Sequence, residues 1–190
     1  MRLYLLDLGA IDMDRRVIMP ASPPGKRILV PVPGYLIRTA NGDAVLIDTG
    51  MSREVLSGAV DLGERLRPVG GGDAHVVARL AALGLRPEDI THVVATHFHF
   101  DHAGGLAEFP TATVVAQRAA VEAARTGGRL ARETVENPSL RWQLVEGDVD
   151  LLPGVRLLET GGHTPGHQSV LVTTPTDGPF LLAIDAIYNR

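Results

Sequence analysis

Three histidines and an aspartate crowd into six residues of this chain, within Thr96-His97-Phe98-His99-Phe100-Asp101-His102-Ala103-Gly104-Gly105. Two more histidines share Gly162-His163-Thr164-Pro165-Gly166-His167, so five of the seven in the chain fall in two short segments. Neutral imidazole is the commonest protein ligand for zinc, and carboxylate oxygen suits the same ion. Three imidazoles and a carboxylate packed this closely crowd one another unless a cation compensates them. A metal centre is therefore expected here; the alternative is a polar loop whose histidines are satisfied by ordinary hydrogen bonds. No cysteine is present to ligate a metal or to attack a substrate, and no Gly-x-Ser-x-Gly elbow supplies a serine nucleophile.

The elements that must position these residues are short. Leu3–Leu8, Ile28–Arg38, Ala44–Asp48, His92–Ala95, Thr113–Ala116, Gln143–Val145, Val155–Glu159, Ser169–Thr173 and Phe180–Ile184 read as strands, rich in Val, Ile and Leu and bounded by Gly, Pro, Asp or Asn. Asn41-Gly42-Asp43 between two of them predicts a hairpin, because Asn-Gly tolerates positive φ at little steric cost. Asp73 is expected to cap a helix over 74–83 that stops at Gly84, and Arg118–Arg125 and Arg129–Glu136 read as further helices. The histidine-rich segment follows a strand and ends in Gly104-Gly105, which predicts a loop at a strand end, where functional ligands are commonly mounted on a rigid scaffold. Residues 20–33 hold five of the thirteen prolines and are expected to form an ordered loop. His75 on a predicted helix and His92 in a predicted strand read as packing or surface residues. Strands alternating with helices give an α/β chain of layered sheets and helices.

Composition narrows the function. The chain has 190 residues, 45% apolar and 21% charged, the size and balance of one globular domain over 1–190. Lys plus Arg number 18 against 22 Asp plus Glu, a net charge of -4, and no basic cluster suggests a nucleic-acid partner. The apolar runs fall far short of the ~20 residues that span a bilayer. Asp7 interrupts the N-terminal run too early for a signal-peptide core. A soluble, cytoplasmic, single-domain protein is expected, with no nucleic-acid or membrane partner.

The residues then meet a family. His97-x-His99-x-Asp101-His102, the upstream Leu46-Ile47-Asp48-Thr49-Gly50 and the downstream Gly162–His167 segment resemble the metallo-β-lactamase superfamily over almost the whole chain. The finer likeness is to the N-acyl-homoserine lactone lactonases, which degrade bacterial quorum-sensing signals. It rests on residues 99–105, Val145-Glu146-Gly147-Asp148, Leu152-Pro153-Gly154-Val155, His163-Thr164-Pro165-Gly166-His167-Gln168-Ser169 and Ile184-Asp185-Ala186-Ile187-Tyr188. The resemblance implies a metallo-β-lactamase-like αββα sandwich, lacking the C-terminal part of its second half. The family completes its second metal site with a histidine tens of residues beyond the bridging aspartate, so a truncated chain with a weaker second site is expected.

The resemblance also implies roles. His97, His99 and His163 would hold one divalent ion, Asp101 and His102 a second, and Asp185 would bridge them, with zinc favoured by the mixture of nitrogen and hard oxygen. Asp48 would orient a ligand or its loop through hydrogen bonds, or serve as a buried structural aspartate. His167 is not a ligand in the family and would support the site or the fold. A bridging hydroxide would attack the lactone carbonyl, Tyr188 would donate to the developing oxyanion, and Asp101 would carry the proton to the departing ring oxygen. Met13, Met19, Phe98 and Phe100 are expected either to line an acyl groove bordered by the 20–33 loop or to be plain core residues. The substrate implied is a small acyl lactone; a glyoxalase-II-like thioesterase and an inactive metal-binding module are the rival readings.

Overall fold

The computed structural model describes residues 1–187 and contains two β-sheets among them. The strands are β1 (Arg2–Asp14), β2 (Arg27–Arg38), β3 (Ala44–Ile47), β4 (Leu66–Val69), β5 (His92–Val94), β6 (Thr113–Gln117), β7 (Arg141–Val145), β8 (Val149–Leu152), β9 (Val155–Glu159), β10 (Gln168–Thr174) and β11 (Gly178–Leu182). The helices are α1 (Arg53–Leu56), α2 (Val76–Ala82), α3 (Phe100–Ala103), α4 (Arg118–Thr126) and α5 (Arg129–Val135). One sheet has seven strands in the order β4-β1-β2-β3-β5-β6-β7; the other has four, β11-β10-β9-β8. β3, β5, β6 and β7 run parallel, and the remaining pairings are antiparallel.

Period-2 alternation divides the large sheet between two cores. Leu46, Val93, Ala95, Val114 and Ala116 face a core shared with Val55, Val76, Leu80, Ala103, Val121 and Val135 of the five helices. Their neighbours Val45, Ile47, Val94 and Val115 face the opposite way and pack on Val155, Leu157, Val170 and Val172 of the small sheet. Central strands buried on both faces read as unbroken apolar runs, which is why they were legible. The layers are helices, large sheet, small sheet, three of the four layers of an αββα sandwich, in keeping with the expectation of an incomplete second half. No buried helix residue joins the second core among the described residues.

Several boundaries differ from expectation. β1 continues to Asp14 because a bulge between Asp7 and Ala10, with Gly9 at φ 93, lets it bend and keep pairing with β2. The proline-rich stretch is only partly a loop: β2 begins at Arg27 and contains Pro31 and Pro33. β3 pairs with β2 only from Tyr35 to Arg38, so the prolines lie where one edge of β2 is open and no ladder donor is missed. The α2 cap is His75 rather than Asp73. His75 is extended and its Nδ1 accepts from the Val77 amide at 3.4 Å, while Gly72–Ala74 forms a separate 3₁₀ turn. The expected hairpin stands, with Gly42 at φ 97 and the Thr39 amide bonded to the Asp43 carbonyl at 3.0 Å.

Candidate metal centre

The parallel strands β3 and β5 end side by side, and their carboxyl ends open onto the crevice where ligands bind in such sheets. β3 runs into Asp48, and β5 into Thr96, His97 and His99. The β9–β10 connection brings His163 to the same place, and the 3₁₀ turn Ile184–Ala186 after β11 brings Asp185. The expected loop is interrupted here: Phe100–Ala103 closes one helical turn, with the His102 and Ala103 amides both bonded to the His99 carbonyl at 3.0 Å. That turn sets Asp101 and His102 beside the other ligand types. Gly104 makes the turn's close packing possible, since a Cβ there would stand 2.6 Å from the Ser52 amide nitrogen. Gly166 does the same for the His163 loop, where a Cβ would meet the Ala120 amide nitrogen at 2.3 Å.

Ring tautomers follow from proton accounting. Thr96 Oγ1 donates to Asp48 Oδ2 at 2.8 Å, so its only proton is used, and His97 Nδ1 must donate to Thr96 Oγ1 at 3.2 Å. His97 Nε2 is then a bare lone pair aimed at the centre. His102 Nδ1 lies 2.8 Å from Asp48 Oδ2 and donates to it, leaving its Nε2 toward Asp101 and Asp185. His99 Nδ1 stands 3.1 Å from His97 Nε2 and 3.0 Å from His163 Nε2. One ring nitrogen thus faces two others, and it can carry at most one proton between them.

The donors match a cation in number, type and spacing. His97, His99, His163 and Asp185 each offer one atom, all within 4.8 Å of one another. Donors ~2.0–2.1 Å from a tetrahedral zinc lie about 3.3 Å from each other. His99 to His97 at 3.1 Å, His99 to His163 at 3.0 Å and His163 to Asp185 Oδ2 at 3.2 Å fit that spacing. Asp185 turns its other oxygen, Oδ1, to His102 Nε2 at 3.5 Å, while Asp101 Oδ2 lies 3.6 Å from the same nitrogen. A single carboxylate therefore faces both groups of donors.

Electrostatics says the same. Burial, reinforced by the neighbouring imidazoles, holds His97, His99 and His163 below the ordinary histidine range, so their nitrogens are neutral donors of electron pairs. Burial would also lower His102, but Asp101, Asp48 and Asp185 override it and push it up to about 10. Three carboxylates around one ring call for positive charge at that point, a proton or a cation. Burial lifts Asp185 above the usual carboxylate range.

The structure brings together all six expected metal-ligand residues. Tyr188 lies outside the described residues. Asp48 does what the orienting expectation asked, accepting from Thr96 and His102. His167 is buried beside His97 and His163, with ring centroids 5.3 and 5.9 Å away, but outside the converging donors. Of the groove candidates, Phe98 and Phe100 border a cleft of about 360 Å³ with Val55, Val60, Leu130 and Leu140. Met13 is a core residue, and Met19 is exposed in the loop, where Arg15 Nε meets its sulfur at 3.3 Å. Neither borders the cleft, nor does the 20–33 loop.

Two stacked sheets with imidazole and carboxylate donors at their strand ends define a metallo-β-lactamase fold, and the sequence profile of the metallo-beta-lactamase superfamily matches residues 27–190. An N-acyl homoserine lactonase from a Bacillus species is 37% identical over 100% of this chain and 77% of its own length. The N-acyl homoserine lactonase AttM of Azorhizobium caulinodans is 38% identical over 99% of this chain and 77% of its own. A solved N-acyl homoserine lactone hydrolase, with its product N-hexanoyl-L-homoserine at the catalytic metal center, superposes with a TM-score of 0.89 at 34% identity, covering 98% of this chain and 76% of that one. This chain belongs to the N-acyl homoserine lactonase family of the metallo-beta-lactamase superfamily.

Proposed function

We infer that the protein is a metal-dependent hydrolase that opens the lactone ring of N-acyl homoserine lactones. One observation carries the reading: His97, His99, His163 and Asp185 converge on a single point in a chain 37% identical to an N-acyl homoserine lactonase. His97, His99 and His163 would hold one divalent ion, Asp101 and His102 a second, and Asp185 both, with zinc favoured by the nitrogen-rich donor set. Bound there, such ions supply a Lewis acid and lower the pKa of water to ~7, which makes the nucleophile available at neutral pH.

The chain's own residues do the rest. Asp48 fixes His102 in the tautomer that presents Nε2, and Thr96 fixes His97 likewise. Asp101 Oδ2, held in the first turn of α3 beside His102, would take a proton from the water that attacks the carbonyl carbon and return it to the ring oxygen as the ring C–O bond breaks. Tyr188, three residues after Asp185, donates to the carbonyl oxygen as charge develops. Phe98 and Phe100, between and after the ligand histidines, border a cleft with Val55, Val60, Leu130 and Leu140, and this apolar part of its lining suits an acyl chain. The test is proton release from N-hexanoyl homoserine lactone by zinc-loaded protein, with His97→Ala as control. Ring opening by the parent, together with loss of activity and of zinc in His97→Ala, is expected. Hydrolysis of thioesters but of no lactone would move the protein to the glyoxalase-II-like reading.

A further inference from the structure

The carboxylate that faces both donor groups sits on an unfavourable piece of backbone. Ile184, immediately before Asp185, has φ 53, and a β-branched residue in the left-handed region is a true outlier. Strain of this kind persists only where surrounding contacts over-determine it. β11 ends at Leu182, so the strand ladder does not supply those contacts.

Side-chain hydrogen bonds do. Ser169 Oγ, on β10, donates to the Ala183 carbonyl at 3.0 Å, and the same carbonyl accepts the Ala186 amide at 3.2 Å. Thr160 Oγ1 lies 2.9 Å from Ser169 Oγ. The serine's one proton is committed to Ala183, so Thr160 is the donor in that contact. His167 Nδ1 lies 2.9 Å from Thr160 Oγ1, whose one proton is now also committed, so the ring donates. Each step leaves one direction open: His167 Nδ1–H to Thr160, Thr160 to Ser169, Ser169 to the turn that carries Asp185. The origin of the chain is tied down as well. The Thr160 amide bonds to the His167 carbonyl at 2.8 Å, and the His167 amide to the Thr164 carbonyl at 3.2 Å, closing the loop that carries His163.

We propose that His167, Thr160 and Ser169 are positioning residues that lock the His163 loop to the strained Asp185 turn, and so set the 3.2 Å approach of Asp185 Oδ2 to His163 Nε2. This also gives the buried His167 a function without making it a ligand: its Nδ1 drives the chain, and its Nε2 has no hydrogen-bond partner among the described residues. The proposal rests on the metal-centre reading for its consequence, but not for its geometry.

Thr160→Val and Ser169→Ala break the chain while keeping side-chain volume nearly constant, and Thr160→Ser keeps the hydroxyl. Three measurements decide: amide exchange at Ala186 in metal-free protein, zinc affinity by competition with a chromophoric chelator, and the visible spectrum of the cobalt-loaded protein. Thr160→Val and Ser169→Ala should each speed exchange at Ala186, weaken zinc about tenfold and shift the cobalt spectrum, as loss of an outer hydrogen-bond partner does. Thr160→Ser should restore all three. Parental exchange and parental zinc affinity in both disrupting variants overturn the proposal, as does failure of Thr160→Ser to rescue, which would indicate packing alone. His97→Ala separates the two readings. If it leaves zinc binding unchanged, the metal assignment fails, and exchange at Ala186 still decides the hydrogen-bond chain.

Discussion

Asp48 illustrates how much a single residue can hold. It is buried, adopts φ 57, and accepts from the Thr96 amide at 2.9 Å, the Thr96 hydroxyl at 2.8 Å and His102 Nδ1 at 2.8 Å. Asp48→Ala strands these donors, and each unsatisfied buried group costs ~1–3 kcal/mol. A loss of about 3 kcal/mol in chemical denaturation is expected, with zinc affinity down ~10–100-fold. Asp48→Asn, whose side chain also tolerates the left-handed region, should recover much of the stability and less of the affinity. Zinc affinity unchanged in both variants would contradict the orienting role. Tyr188→Phe tests the proposed oxyanion donor: kcat should fall ~10²-fold with metal content intact. Equal kcat/KM on lactones would remove Tyr188 from the mechanism. The ligand types were readable from the sequence because metal ligation demands particular side chains at close spacing. The supporting bonds of Thr96, Thr160 and Ser169 were not, because a hydroxyl's partner is set by tertiary approach and leaves no pattern in the chain.

At the scale of elements, the buried parallel strands were the readable part and the short pieces were not. β4, β8 and α1 have four residues each, too few for any periodicity to show. α3 was hidden by its composition, since Phe-Asp-His-Ala carries no cap signal and forms its turn on the His99 carbonyl. α2 was foreseen with the wrong cap, because Asp73 has the better capping chemistry while His75 has the extended backbone. That cap has a consequence for stability. Burial, with Arg53 nearby, lowers the His75 pKa, against the opposing pull of Glu108 and Glu54. The unfolded chain therefore takes up this proton first as pH falls below ~6.5, so the contribution is fully present above that pH and declines beneath it. His75→Asn, which keeps a capping side chain, should flatten the fall in stability between pH ~6.5 and ~5 relative to the parent. A denaturation series across that range, with parallel curves for the two proteins, would refute this.

At the scale of the whole molecule, the proposed seat of the acyl chain in the cleft bordered by Phe98 and Phe100 would make activity depend on chain length. Each methylene buried there is worth ~0.8 kcal/mol, several-fold in kcat/KM per carbon. A chain-length series of homoserine lactones should therefore show kcat/KM rising until the roughly 360 Å³ is filled, then levelling. Phe98→Ala should flatten the slope; a flat parental series would place the acyl chain elsewhere. A different property of the molecule follows from Pro31 and Pro33. They occupy the stretch of β2 whose far edge no strand of the described residues covers, and Leu29 nearby is 61% exposed. An open, apolar edge is an invitation for strands of other copies to add on, ending in fibres. Proline has no N–H to offer such a strand, so the two rings act as gatekeepers against self-assembly. Their loss would be felt first in colloidal behaviour at high concentration, long before it reached the chemistry.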